Sequence, residues 1–274
     1  MGNEHLYKQR QKKSAHKRFW KEVTIAQESG GFSIELDQRP VRLPKGTRLS
    51  VPSYALAEAL AEEWRAAGCG EGKSFTSADL PLTGMTGFMV ECLPSEREAI
   101  IQSLLAYAQS DVLCYREASQ KALYRRQSEV WDPLLQQLEV VLGCRLMTTT
   151  GVMPITQTNE TIQIFQKALE ASTQAELAVL GNVVPILGSL ALGFLILKAN
   201  MTAETAVDSA TLDEQFQMTL WGRETEITHR IESMKKEISI AIRFLALYQK
   251  GNSKVKDAHN ALDHVIDHVD VFKT

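Results

Sequence analysis

The chain has 274 residues, of which 44% are hydrophobic and 23% charged, and a formal net charge of −3. Such a chain is globular, long enough for one large or two ordinary domains, each with a real core. The slight acidity argues against a binder of nucleic-acid phosphates, which needs a basic face, and no aromatic residues interleave with basic clusters as a single-strand platform requires.

Residues 1–16 are basic and lack an apolar run, so they read as a solvated tail rather than a secretory signal. From Trp20 the pattern has a period of two: Val23 and Ile25, then Phe32, Ile34 and Leu36, then Val41 and Leu43 alternate with polar residues. That alternation, punctuated by Gly and Pro, predicts a small antiparallel meander with one face on a core. After Pro52 the period becomes helical. Leu56, Leu60 and Trp64 share one stripe, and the helix ends at Gly68, so it is expected to cover the meander. A loop through residues 69–84 and a short helix over residues 85–93 complete an α+β domain over residues 17–94.

Residues 95–250 read as a larger all-α domain. Ser95 and Glu98 form a capping box that predicts a helix start. A helix over residues 119–130 is expected to break at Asp132-Pro133, with Asp132 as the cap of a new helix and Pro133 at its first position, closing at Gly143. Another helix begins near Asn159. The apolar run at residues 177–197 approaches the roughly 20 residues that span a bilayer. Asn182, Pro185, Gly188 and Ser189 interrupt it, and a Thr173–Glu176 capping box and a Ser189 cap predict two core helices instead. In residues 212–222 Leu212, Phe216 and Leu220 form an expected core stripe. Glu214 falls on the other side beside Met218 and Trp221, at i, i+4 and i+7. A last long helix covers residues 224–249, and residues 251–274 form a further tail.

Catalytic patterns are lacking. The "GEGKS" of residues 70–74 does not have the spacing of a phosphate loop, and there is no nucleophile elbow or His-Glu-x-x-His pair. His264 and His268 stand one turn apart, a spacing that can hold a metal, but they fit the wet face of an amphipathic tail. The four cysteines Cys69, Cys92, Cys114 and Cys144 are too widely spaced for a zinc or redox pair, and three of them sit in apolar stretches and read as small hydrophobes, a pattern that suits a reducing compartment. Neither a cofactor nor a metal is expected. Asp213 and Glu214 point about 100° apart on one helix and do not converge.

Seven stretches taken in order carry a resemblance: "KRFWKEV" at 17–23, "LDQRPVRLP" at 36–44, "LAEEWRA" at 60–66, "LPLT" at 80–83, "YAQSDVLCYR" at 107–116, "QSEVWDPLL" at 127–135 and "LDEQFQMTLWG" at 212–222. Together they resemble the assembly chaperones of the F-type ATP synthase α subunit, the ATP-twelve family, from about residue 17 to residue 249. Two departures stand out: Gln38 occupies a turn position where the family usually has Gly, which suggests a different turn type, and a second tryptophan expected after "WDPLL" is absent.

The resemblance implies a small α+β domain followed by a helical one. It also implies a non-enzymatic, ATP-independent protein that binds the free α subunit and prevents its aggregation before β arrives. Within it, Glu214 matches the family's functionally critical acidic position. A carboxylate framed by Met218 and Trp221 suits a partly desolvated contact with a client Arg, with Asp213 beside it and Asp111, Tyr115 and Arg116 as secondary candidates for a binding groove. A monomer in the bacterial cytoplasm is expected, or in the mitochondrial matrix if the source is eukaryotic, without membrane insertion. The competing reading is a small-molecule enzyme using Asp111, Asp213 and Glu214 in an interdomain cleft.

Overall fold

A computed structural model describes the backbone of residues 15–69, 73–222 and 224–266, and side chains as far as residue 250. The described residues form two compact units. One runs from residue 15 to Gly87 and includes residues 243–266; the other is Phe88–Ile242. As the alternation predicted, the first unit is built on an antiparallel meander. Strand β1 is His16–Lys17, β2 Val23–Glu28, β3 Gly31–Leu36, β4 Arg39–Pro40, β5 Ser50–Val51 and β6 Ser74–Phe75. β2 pairs with β3 in the register Ile25↔Ile34, β3 pairs with both β4 and β5, and β1 pairs separately with β6.

The expected third and fourth strands are shorter than the alternation suggested. Pro40 and Pro44 carry no N–H for a ladder, so between β4 and β5 the pairing is reduced to an Arg42↔Arg48 bridge and a tight turn in which the Gly46 amide bonds to Leu43. Gly31 is obligatory: a Cβ there would lie 2.4 Å from the Val51 carbonyl oxygen. Helix α1, Tyr54–Ala66, starts at Ser53, whose hydroxyl accepts the Leu56 amide, and packs on β2, β3 and β5. Leu56 and Leu60 are fully buried with Ile34, Leu49 and Val51. Trp64 continues their stripe only half-buried, edge-on to Trp20 at 5.3 Å and Phe75 at 6.0 Å.

The turn between β3 and β4 keeps the geometry that Gly would favour. Leu36 pairs with Arg39 across Asp37 (φ 47°) and Gln38 (φ 66°). Two consecutive positive φ values define a type I′ hairpin turn, so Gln38 adopts an unfavourable left-handed conformation rather than a different turn.

Short helix α2, Pro81–Gly87, closes this unit's contiguous stretch. In the helical unit, a π turn at Phe88–Cys92 leads into α3, Leu93–Gln109, so the start predicted at Ser95 is displaced by two residues. Ser95 instead donates to the Cys92 carbonyl at 3.3 Å. Strand β7 (Tyr115–Arg116) pairs in parallel with β8 (Thr149–Thr150).

Helix α4, Lys121–Leu142, is continuous, contrary to the break expected at Asp132-Pro133. Two anchors override the local signal: Trp131 is buried and donates to the Ser209 carbonyl at 2.9 Å, and Asp132 accepts from Arg116 at 2.7 Å instead of capping a new helix. α4 ends at left-handed Gly143, as predicted.

Helices α5 (Asn159–Ala171), α6 (Gln174–Leu187), α7 (Leu190–Ala199), α8 (Ala203–Ala210) and α9 (Leu212–Trp221) complete the helical core with the first part of α10, Thr225–Ile266. The Thr173–Glu176 capping box and the Ser189 cap are both present, so residues 177–197 form two buried helices. Gly193 lets them approach, since a Cβ there would sit 2.7 Å from Val184. Among the described residues no helix is long and apolar enough to cross a membrane. α10 extends beyond the predicted end at residue 249. Its carbonyl at Leu247 accepts from Ser53 at 2.6 Å, within the first unit. The side chains of residues 251–266, residues 267–274, and with them the His264–His268 pair, lie outside the described residues.

Candidate functional site

The residues of the matched stretches divide by what their side chains touch. Several are occupied in holding the fold. In the first unit the Arg18 guanidinium donates to the carbonyl of Arg65 at 2.6 Å, and to that of Ala67, at the C-terminal end of α1. A cation there satisfies carbonyls the helix leaves unpaired. Trp20 is buried and donates to the Trp64 carbonyl. Glu63 reaches from α1 to the start of α2, accepting the amides of Leu82 (2.7 Å) and Thr83 (2.9 Å) and the Thr83 hydroxyl. Burial raises its carboxyl above the ordinary value, against these hydrogen bonds. "KRFW", "LAEEWRA" and "LPLT" are therefore three parts of one lock.

A second lock lies in the helical unit. Asp111 is fully buried: one oxygen accepts the Ser189 hydroxyl at 2.8 Å and the Leu113 amide at 3.1 Å, the other the Ala191 amide at 2.9 Å. It thus caps the start of α7 from a distant loop. Burial pushes its carboxyl up to about 6, although its hydrogen bonds oppose the rise. Arg116 is buried 4.8 Å above the Trp131 ring and bonds the Leu113 carbonyl and Asp132. Tyr115 is half-buried, its hydroxyl donating weakly to the Gln109 carbonyl at 3.4 Å. Asp111 and Arg116 are thus spent internally, and their network lies within the helical unit rather than between domains. Gln127, also buried, accepts the Glu117 amide at 2.7 Å and donates to Asp213 at 2.8 Å, tying β7 to α9. Desolvation raises the Asp213 carboxyl despite that hydrogen bond.

What remains outward-facing is α9. Its first turn packs on α4 and α8, burying Leu212. The expected core stripe does not persist: Phe216 is half-buried and Leu220 exposed, because the helix runs out to Gly222 beyond its supports. On the other side Met218 is half-buried, and Trp221 is 85% exposed with its indole N–H on Gln217. Glu214 forms an ion pair with Arg230 of α10, the two side chains 44% and 47% exposed. Arg230 also approaches the Met234 sulfur at 3.5 Å.

The structure thus brings Glu214, Met218 and Trp221 to one exposed helix, with Asp213 at its base, and keeps Asp111 and Arg116 away from solvent. Arg230 was not foreseen, since a pair sixteen residues apart across two helices leaves no local spacing to read. Among the described residues no group of His, Cys, Asp and Glu could hold a metal ion. Cys92, Cys114 and Cys144 are buried and Cys69 is exposed. Burial pushes the Cys144 thiol up to about 12, an inert state for a nucleophile.

Comparison with known proteins shows which family the chain resembles. A family model described as the ATP12 chaperone protein matches residues 17–139. The chain is 27% identical over 228 residues to the mitochondrial protein atp12 of Schizosaccharomyces pombe, covering 79% of this chain and 77% of that protein. It is also similar to the crystal structure of Atp12 from Paracoccus denitrificans, with a TM-score of 0.78 and 32% identity over 85% of this chain and 98% of that one. A crystal structure from Agrobacterium tumefaciens matches with a TM-score of 0.76 at 32% identity, covering 84% of each chain.

Proposed function

Since the chain belongs to the ATP12 chaperone family, we propose that it serves F-type ATP synthase assembly by binding the free α subunit and preventing its aggregation until β arrives. The observation that carries this reading is the division of the matched residues. Arg18, Glu63, Asp111, Arg116 and Gln127 are engaged inside the fold, whereas Glu214, Met218 and Trp221 reach the surface together on α9. A carboxylate beside an exposed indole and a thioether suits a cationic group set in an apolar surface. The Arg230 guanidinium fills that place in the free protein, and a client Arg takes it on binding.

The enzymatic alternative needs Asp111, Asp213 and Glu214 to converge in an interdomain cleft. All three lie in the helical unit, on three separate partners: the α7 start, Gln127 and Arg230. A shared substrate position is therefore disfavoured. The same reading makes the protein a monomer of the bacterial cytoplasm, or of the mitochondrial matrix in a eukaryote. The test uses the protein as bait for unassembled α subunit, together with a clean deletion strain. Recovery of α and loss of assembled synthase are expected; normal assembly in the deletion strain defeats the reading.

A further inference from the structure

The loop after β8 presents Val152 and Met153 to solvent, 93% and 73% exposed, next to each other at its tip. Loop tips are ordinarily built from Gly, Pro and small polar residues, whereas here two adjacent large apolar side chains form a contiguous exposed apolar patch, the feature that marks a contact site where single exposed side chains do not. This tip is not a loose strand end. On one side Tyr115 and Arg116 pair with Thr149 and Thr150, and the Gly151 amide bonds the Arg116 carbonyl at 2.8 Å. On the other, buried Gln157 clamps both the amide (2.8 Å) and the carbonyl (3.0 Å) of Met147 and sends its own amide to Gln109. Both feet of the loop are fixed, so little order remains to be imposed on the tip when a partner docks.

The same supports reach α9. Arg116 holds the loop, the next residue, Glu117, bonds Gln127, and Gln127 bonds Asp213, the neighbour of Glu214. We infer that the Val152–Met153 tip is a second anchor of the client site, working with the Glu214–Trp221 face of α9. This rests on the client-binding reading above and says what the client must present: an apolar patch for the tip, with a basic side chain set apart from it for Glu214. The charges support this occupant. At the α9–α10 corner the exposed or half-exposed residues Asp213, Glu214, Glu224 and Glu226 are acidic, and Arg230 pairs with Glu214, so a cation on the client is complementary where an anion is repelled. A surface that is apolar and basic together, and open only before assembly, is what a holding chaperone has to cover.

The experiment compares four proteins by calorimetric titration against free α subunit: the unaltered protein, Val152→Ser/Met153→Ser, Glu214→Lys, and Val140→Ser. Val140 lies on α4 and is 85% exposed, so it reports on generic surface hydrophobicity. The tip variant should bind at least tenfold more weakly, with a less negative heat-capacity change, and melt as the unaltered protein does; Val140→Ser should bind normally. Normal binding by the tip variant while Glu214→Lys fails overturns the second anchor and leaves the α9 reading standing. Equal weakening by Val140→Ser overturns it as well, by showing a non-specific effect. If the unaltered protein binds no α subunit, the client reading falls and the anchor with it.

Discussion

Replacing Glu214 by Lys should abolish client binding while hardly changing the fold. The Glu214–Arg230 pair is about half exposed on each side, and exposed pairs contribute about 0–1 kcal/mol. Setting a lysine against Arg230 adds a repulsion of about 1 kcal/mol at 4 Å in a water-like medium, less if the chains swing apart. For a domain of this size 1 kcal/mol lowers Tm by roughly 2–4 °C, so the lost pair and the new repulsion together, about 2 kcal/mol at most, set a ceiling of about 8 °C. Against a desolvated client cation the same reversal should cost about 2–5 kcal/mol, or roughly thirty-fold to several thousand-fold in Kd. The assay is thermal unfolding followed by titration with free α subunit. Arg230→Gln, which frees the carboxylate, should bind at least as tightly as the unaltered protein. Exchanging the two charges should restore Tm without restoring binding. The reasoning is refuted if Glu214→Lys loses Tm and affinity in proportion, as a structural glutamate would, or if it keeps its affinity.

Three other perturbations test the internal architecture. Gln38→Gly relieves the left-handed turn residue at φ 66° and should raise stability by about 0.5–1 kcal/mol, seen as a small rise in Tm; an unchanged or lower Tm would show the turn is not strained. Glu63→Ala removes the acceptor for the Leu82 and Thr83 amides and should cost about 1–2 kcal/mol, with Glu63→Gln milder because it keeps one acceptor. For Asp111, burial raises the folded carboxyl from 3.8 to about 6, so the folded chain holds the proton more tightly than the unfolded one. Its contribution to stability is complete below pH 3.8 and is lost as pH rises through about 6, a difference of up to roughly 3 kcal/mol. Asp111→Asn imitates the neutral acid, so the stability difference between the unaltered protein and this variant should shrink or reverse from pH 4 to pH 7 in denaturant titrations. A constant difference would mean that the hydrogen bonds from Ser189, Leu113 and Ala191 hold Asp111 ionised throughout.

Local pattern was enough for the meander, the α1 stripe through Leu56 and Leu60, the Thr173 and Ser189 caps and the Gly143 stop, because each depends on residues within a turn or two of one another. It also marked α9 as a helix with Glu214, Met218 and Trp221 on one side. It could not foresee that α4 runs through Pro133, since Trp131 and Asp132 are held by Ser209 and Arg116 from other parts of the chain. Nor could it separate Asp111 from Glu214, since both lie in matched stretches and both stand as candidates for the binding site. Their fates differ because one carboxylate is enclosed by the α7 start and the other pairs with Arg230 at the surface. Burial is a sum over segments distant in the chain, and a residue's neighbours in sequence hold little of it. The choice between a residue that holds the fold and one left to meet a partner was therefore made only when the helices packed.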